Sequence, residues 1–299
     1  MKRLLKFVAG IVVALAVLAA AAIFLGLQLA DRKMNRKVPV TVAAVDVAPT
    51  SATSLERGKY LFNSRGCAEC HGDNGVGKVF VEKGESLRLK APNITVGQGG
   101  VVAAYKVEDW VRSIRHGVTP SGRPLMIMPS EDFNRLTDTD VSALIAYAKS
   151  LPPAAGSGAQ ITLPLPARVM YGFGLIHDAA GKIDHTLPPA QPVAEGVNAQ
   201  HGQYVANTCL GCHGAQFTGG RIPGGPPDWP PAANLRAGVM SDRYANADAF
   251  MAMLRSGKRP DGSAIKVMPF VSLGRMNETD MRALHLYLKG LAPVVSAGK

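Results

Sequence analysis

The sequence predicts an all-α chain: two similar helical domains in tandem behind one N-terminal transmembrane helix. Three observations carry that expectation. Residues 7–30 run for 24 positions without a charge. Two long segments repeat at a constant offset of 140 residues, with helical periodicity on either side. The pattern Cys-x-x-Cys-His occurs twice, as "CAECH" from Cys67 and "CLGCH" from Cys209, and it uses all 4 cysteines of the 299-residue chain.

The apolar run comes first. About 20 residues suffice to cross a bilayer, whereas the core of a cleavable leader is about 7–15. Only Gln28 in the run is strongly polar. Ala20-Ala21-Ala22 could pass as a cleavage site, but "IFLGLQLA" continues apolar beyond it. An uncleaved anchor over residues 1–37 is therefore expected, with membrane contact through residues 7–30. The net charge of +11 has its largest concentration here, in Lys2, Arg3, Lys6, Arg32, Lys33, Arg36 and Lys37 against Asp31. Positive charge flanking an apolar run meets lipid headgroups, so the basic balance does not argue for nucleic acid. Both ends are basic, so the flanks alone do not orient the helix.

A tether over 38–53 leads to the first repeat. "RGKYLFNSRGCAECHG" answers "HGQYVANTCLGCHG", which is two residues shorter. Downstream, "EDWVRSIR" overlies "DAFMAMLR", two amphipathic segments expected to be helices. "RHGVTPSGRPLMIMPS" from Arg115 then overlies "RSGKRPDGSAIKVMPF" from Arg255, aligning Met128-Pro129 with Met268-Pro269. Thr137 and Asn277 are good N-caps for closing helices. Val141, Leu144, Ala148 and Leu151 mark the apolar face of one, and Met281, Leu284, Leu288 and Leu291 that of the other. The two domains are expected at 54–153 and 196–296. The proline-rich connector between them, 154–195, should lie along both rather than form a long helix.

The motif decides the chemistry. Two cysteines at this spacing suit a redox disulfide, half of a zinc site or a covalent haem anchor, and the histidine that follows favours haem. A four-cysteine zinc site would leave both histidines unexplained. Aromatic residues are only 6% of the chain, and a large flat cofactor in each core accounts for the shortage. Cys67, Cys70, Cys209 and Cys212 are thus the expected thioether anchors of two covalent haem c groups, with His71 and His213 as proximal iron ligands.

Here the resemblance is plain. Each copy resembles a class I cytochrome c domain: an N-terminal helix, C-x-x-C-H, a Pro-Asn or Ala-Asn loop, a Met-Pro loop and a C-terminal helix. The chain resembles membrane-anchored dihaem c-type cytochromes. Its Met-Pro segments are similar to those in the cytochrome subunits of periplasmic alcohol and aldehyde dehydrogenases. The resemblance implies that the loops at Asn93 ("APNIT") and Asn234 ("AANL") help to hold the haem edge.

The repeat points to the sixth ligands. Met128 and Met268 are equivalent, and each precedes a proline that stiffens its loop. Met126 lies close enough to compete in the first copy, but Lys266 stands at its place in the second. Thioether opposite imidazole raises the reduction potential relative to two histidines. His116 is matched by Ser256, which favours a surface histidine at a helix end. His285 reads as a satisfied packing histidine. Trp110, opposite Phe250, is expected in the core. Arg115 and Arg255 either pair with haem propionates, which suit guanidinium forks, or end their helices in solvent.

Two irons ligated on both faces leave no position for a substrate. The expected function is electron transfer, not catalysis. A periplasmic carrier tethered to the bacterial inner membrane would pass electrons from a dehydrogenase or quinol-oxidising complex to a terminal oxidase or soluble cytochrome. The periplasmic side follows from haem attachment, which bacteria complete outside the cytoplasmic membrane. A haem-wiring subunit of a larger complex is the alternative. A dihaem peroxidase or sulfur-oxidising enzyme would need an open or unusual iron ligand.

Overall fold

The computed structural model describes residues 1–47, 51–226, 228–236, 238, 240 and 243–293. Residues 48–50 of the expected tether and 294–296 of the expected second domain lie outside these.

The apolar run forms α1 (Lys2–Asn35), which is free of contacts along most of its length. At about 1.5 Å per residue it is some 50 Å long. It is the one helix among the described residues long and apolar enough to cross a membrane, with mean hydropathy 2.9 over its most apolar window.

Each repeat then builds the same small unit. In the first, α2 (Ala52–Ser64) starts at Ser51, whose hydroxyl accepts from the Ser54 N–H while the Ser54 hydroxyl accepts from the Ser51 N–H. This reciprocal box satisfies backbone donors that a helix start leaves unpaired. One turn, α3 (Cys67–His71), carries the motif. There follow α4 (Val107–His116), the short α5 (Ser130–Phe133) after Met128-Pro129, and α6 (Asp138–Ser150), capped by Thr137 as expected. The connector contributes α7 (Leu165–Gly172). The second copy repeats the series as α8 (Ala199–Ala206), α9 (Leu210–His213), α10 (Ala247–Ser256), α11 (Phe270–Leu273) and α12 (Glu278–Gly290), the last capped by Asn277.

The first and last helices of each unit cross tightly, and one glycine explains both crossings. A Cβ on Gly58 would meet the Ala143 carbonyl oxygen at 2.1 Å, and one on Gly202 would meet that of Ala283 at 2.0 Å. Around them sit two cores. Leu61, Phe62, Trp110, Val111 and Ile145 fill the first; Met240, Phe250, Met281, Leu284 and Leu288 fill the second. Burying each such side chain is worth about 1.5–3 kcal/mol.

The all-α expectation holds for both domains and the N-terminal helix, with one addition. A small antiparallel sheet joins β1 (Val79–Lys83), β2 (Leu87–Lys90) and β3 (Gln160–Thr162). "VFVEK" and "LRLK" pair antiparallel on either side of Gly84, whose φ is 57°, and only "LRLK" shows the apolar–charged alternation of a strand. The third strand is connector, so the sheet straps the start of that segment to the first domain.

The two units pack against each other in an approximately two-fold manner. The Tyr60 hydroxyl donates to Asp280 at 2.6 Å and accepts from the Asn277 N–H at 3.2 Å. Its equivalent, Tyr204, donates to Asp140 at 2.6 Å and accepts from the Thr137 N–H at 3.2 Å. Each aspartate also holds a residue of its own unit, Arg57 on Asp140 and His201 on Asp280. Arg65 breaks the symmetry: buried, it reaches Asp280 at 2.8 Å from a position that the shorter second copy lacks.

Candidate functional site

Gly66 and Gly72 bracket α3 with positive φ of 87° and 75°, so the chain turns sharply into and out of the motif. The motif therefore forms a single, largely covered turn that lines a cavity of about 370 Å³. Cys67, Cys70, His71, Met126, Met128 and Trp110 are among the residues that line it. That size falls in the range of small-molecule and cofactor clefts. Thr208, Pro269, Ser272 and Leu273 of the second unit close part of its rim.

His71 is positioned through its far nitrogen. Nδ1 lies 3.1 Å from the Pro92 carbonyl oxygen, which can only accept, so Nδ1 carries the proton and Nε2 is left as a bare donor of electrons. In the second copy His213 Nδ1 lies 2.7 Å from the Ala233 carbonyl oxygen, the equivalent position. Such a partner fixes the tautomer and orientation of a metal-binding imidazole. Burial also lowers both imidazole pKa values, against the opposing pull of these hydrogen bonds, and keeps the rings neutral. Met268 is partly buried against the second core with Cys209 and Ile265, as Met128 is against the first with Cys67.

The cysteines are unpaired thiols. Burial pushes Cys67 and Cys209 up to about 12 and Cys70 up to about 11, so they stay protonated at neutral pH. Among the described residues no three His, Cys, Asp or Glu side chains come together as a metal site. The alternative of a zinc site built from both cysteine pairs has no geometry to support it. The donor set that remains in each copy is one oriented imidazole, one thioether and two neighbouring thiols, which in the first copy line the apolar cavity. That set fits a haem held by thioether bonds.

The structure also places the neighbouring residues that the sequence singles out, and it corrects the surface reading of His116. Asn93 is fully buried but does not line the cavity. Its amide donates to the Ala154 carbonyl at 2.8 Å and its oxygen accepts from the Thr95 N–H at 2.9 Å, which folds the loop and pins the connector. Asn234 makes the same local turn with the Arg236 N–H at 2.9 Å. Arg115 is buried, with Nη2 donating to the Leu136 carbonyl at 2.6 Å and Nη1 2.7 Å from Asp138, while its buried Nε has no hydrogen-bond partner. Arg255 is exposed on α10, so the two matched arginines do different things. His116 is buried rather than at the surface, its Nδ1 3.1 Å from that of His185, and burial lowers its pKa to about 4. His285 is a satisfied core residue, 2.7 Å from the Tyr244 carbonyl.

Residues 53–147 match the family model described as cytochrome c oxidase, cbb3-type, subunit III, and residues 199–292 match that described as cytochrome c. The chain carries two cytochrome c domains. Cytochrome c domains hold haem c, and the donor set and the cavity lining, apart from Ala148 and the connector's Ala159 and Ile161, lie inside the matched segments. The chain is similar to the fructose dehydrogenase cytochrome subunit of Gluconobacter japonicus, 32% identical over 162 residues that cover 48% of this chain and 33% of that protein. It is similar to the cytochrome c subunit of the quinone alcohol dehydrogenase of Gluconobacter oxydans, at 24% over 287 residues, 87% of this chain and 59% of the relative. It is also 31% identical to the cbb3-type cytochrome c oxidase subunit CcoP of Helicobacter pylori over 100 residues, 33% of this chain and 28% of that one. The chain thus spans between about a quarter and three-fifths of these relatives' lengths.

Between the two cytochrome c domains, the attachment turns themselves touch the partner. The Ser272 N–H, beside Met268-Pro269, donates to Glu69 of the first motif at 2.9 Å, and the Ser272 hydroxyl donates to the same oxygen. The Gly211 N–H of the second motif donates to Asp132, beside Met128-Pro129, at 2.8 Å. These pairs join equivalent positions, with acceptor and donor exchanged. Burial raises the Asp132 pKa to about 8, against the hydrogen bond from Gly211. Sequence reasoning missed Tyr60, Tyr204, Asp140 and Asp280. They were visible as identities within the repeat, but nothing along the chain said that they meet.

Proposed function

We propose that the chain is a membrane-tethered dihaem cytochrome c that transfers single electrons, with α1 in the inner membrane and both domains in the periplasm. The observation that carries the reading is the repeated pair of an oriented imidazole and a core-packed methionine in each copy, which together would leave an iron no place for a substrate. Haem c, when bound, supplies one-electron exchange. The protein does the rest. Cys67 with Cys70, and Cys209 with Cys212, would anchor it; His71 and His213 would ligate through Nε2; Met128 and Met268 would supply thioether ligands that hold the potential high. The apolar walls exclude water and limit the rearrangement that a change of charge demands.

The domain packing supports transfer within one chain. Glu69 and Asp132 tie each attachment turn to the methionine helix of the other domain, so an electron entering one domain can leave from the other without a dissociation step. The similar proteins are cytochrome subunits of dehydrogenases and of an oxidase, which supports a dehydrogenase or quinol-oxidising complex as donor and an oxidase or soluble cytochrome as acceptor. The same names favour a second reading, in which the chain is a permanent wiring subunit. Purification in mild detergent separates the two by what co-elutes. The electron-transfer reading itself is tested by intact mass and near-infrared spectroscopy. Two covalent haems and the weak band of histidine–methionine ligation are expected; a high-spin iron that binds peroxide would overturn it.

A further inference from the structure

The connector helix α7 lies against the end of α1 in a way that the two domains do not require. A Cβ on Gly172 would meet the Gly26 carbonyl oxygen at 2.0 Å, and one on Gly26 would meet Val169 at 2.9 Å, so the two backbones are in direct contact. Polar contacts then lock the pair. Lys33 donates to the Tyr171 carbonyl at 3.2 Å, Arg168 pairs with Asp31 at 3.0 Å, and Arg36 grips Asp178 at 2.8 Å while the Tyr171 hydroxyl donates to the same carboxylate at 2.6 Å. The depth of α7 is therefore set by α1.

That depth is informative. Gly26 stands 20 residues beyond Lys6, which is about 30 Å of helix and equals the thickness of a bilayer's hydrocarbon core. The Gly26–Gly172 contact falls at the hydrocarbon boundary, and Arg32, Lys33, Arg36, Lys37 and Arg168 fall just past it, where anionic headgroups attract them. At this level α7 and the residues after it expose Leu165 (50%), Met170 (38%), Phe173 (46%) and Leu175 (70%). Leu165, Pro166 and Met170 form one arc on α7 beside Val169, which packs on Gly26, and Ile23, Phe24 and Leu25 of α1 are exposed at the same level. Scattered exposed apolar residues need no explanation, but a contiguous patch does.

We propose that residues 165–175 are a second membrane contact, an amphipathic segment lying in the headgroup–acyl boundary beside α1 with the lipid bilayer as its partner. This rests on the reading that α1 spans the membrane. Two contacts fixed to each other restrict tilt as well as distance, so the first domain, strapped to the same connector, is held at one orientation over the bilayer.

The test uses the full holo-protein in native membranes and in phosphatidylglycerol–phosphatidylcholine nanodiscs. A diazirine amino acid replaces Phe173 or Leu175, with Leu18 on α1 as the lipid control and Leu286 on α12 as the water control. After illumination, mass spectrometry identifies the adducts. Lipid adducts at 173 and 175, at a yield within about threefold of Leu18, are expected, with none at 286. Water adducts alone at 173 and 175, while Leu18 captures lipid, would overturn the proposal. Cross-linking of 173 or 175 to another polypeptide in native membranes would overturn it in favour of a protein partner. Failure of Leu18 to capture lipid would remove the spanning reading, and this proposal with it.

Discussion

Asp280→Asn should cost the folded protein about 3–5 kcal/mol, the range for removing one charge from a buried ion pair. Asp280 is fully buried, and Tyr60 at 2.6 Å, Arg65 at 2.8 Å and His201 at 2.8 Å converge on its two oxygens. The Arg65 side chain is only 2% exposed, so water cannot replace the lost partner. Asparagine preserves volume and the helix cap, which makes the loss electrostatic rather than a cavity effect. Asp140→Asn is the internal control. Its partner Arg57 is 25% exposed and solvent-screened, and the loss there should be about 1–2 kcal/mol. Urea unfolding of the detergent-solubilised holo-protein, followed by far-ultraviolet circular dichroism, measures both. With a slope of about 2 kcal/mol per molar, the Asp280→Asn midpoint should fall by about 1.5–2.5 M. The pH dependence gives a second check. Burial alone would raise the Asp280 pKa, but the Arg65 charge and the hydrogen bonds from Tyr60, Arg65 and His201 outweigh it and hold the pKa below the ordinary carboxylate range. A depressed carboxylate contributes stability that is complete above its unfolded pKa of about 3.9 and drains away as pH falls through the folded value. The gap between wild type and Asp280→Asn should accordingly be full at pH 7 and close in acid. A loss under about 1 kcal/mol at pH 7, or a gap that does not narrow in acid, would show that the pair is not desolvated as the packing implies.

Met268→Ala should abolish one share of the near-infrared histidine–methionine band and lower that haem's potential, read by redox titration. Met128→Ala should do the same for the other haem while Met126→Ala leaves both unchanged; the reverse outcome would move the ligand to Met126. Gly58→Ala should lower stability by about 1–3 kcal/mol in the same urea assay, because its methyl group lands on the Ala143 carbonyl and the helices must part. Replacing residues 1–37 with a cleavable signal should yield a protein that leaves the membrane fraction less completely than a tether-only picture requires. The extent would be read by flotation with anionic vesicles, and complete loss of vesicle binding would limit membrane contact to α1.

Much of this protein is determined within short stretches of chain. The two Cys-x-x-Cys-His turns, the uncharged 24-residue run and the caps at Thr137 and Asn277 depend on neighbours a few residues away. Covalent spacing and helical period therefore suffice to reveal them. The repeat adds a comparison inside the sequence, which is how Met128 and Met268 stand out from the other methionines. What the tertiary structure decided is which equivalent residues meet. Arg65 and Asp280 are 215 positions apart and Arg36 and Asp178 are 142 apart. No local pattern distinguishes such a pair from two solvated charges. The same holds for Asn93 and Arg115, whose carbonyl partners at Ala154 and Leu136 lie 61 and 21 residues along the chain. A buried polar group must find a partner, and packing alone determines which partner lies within reach.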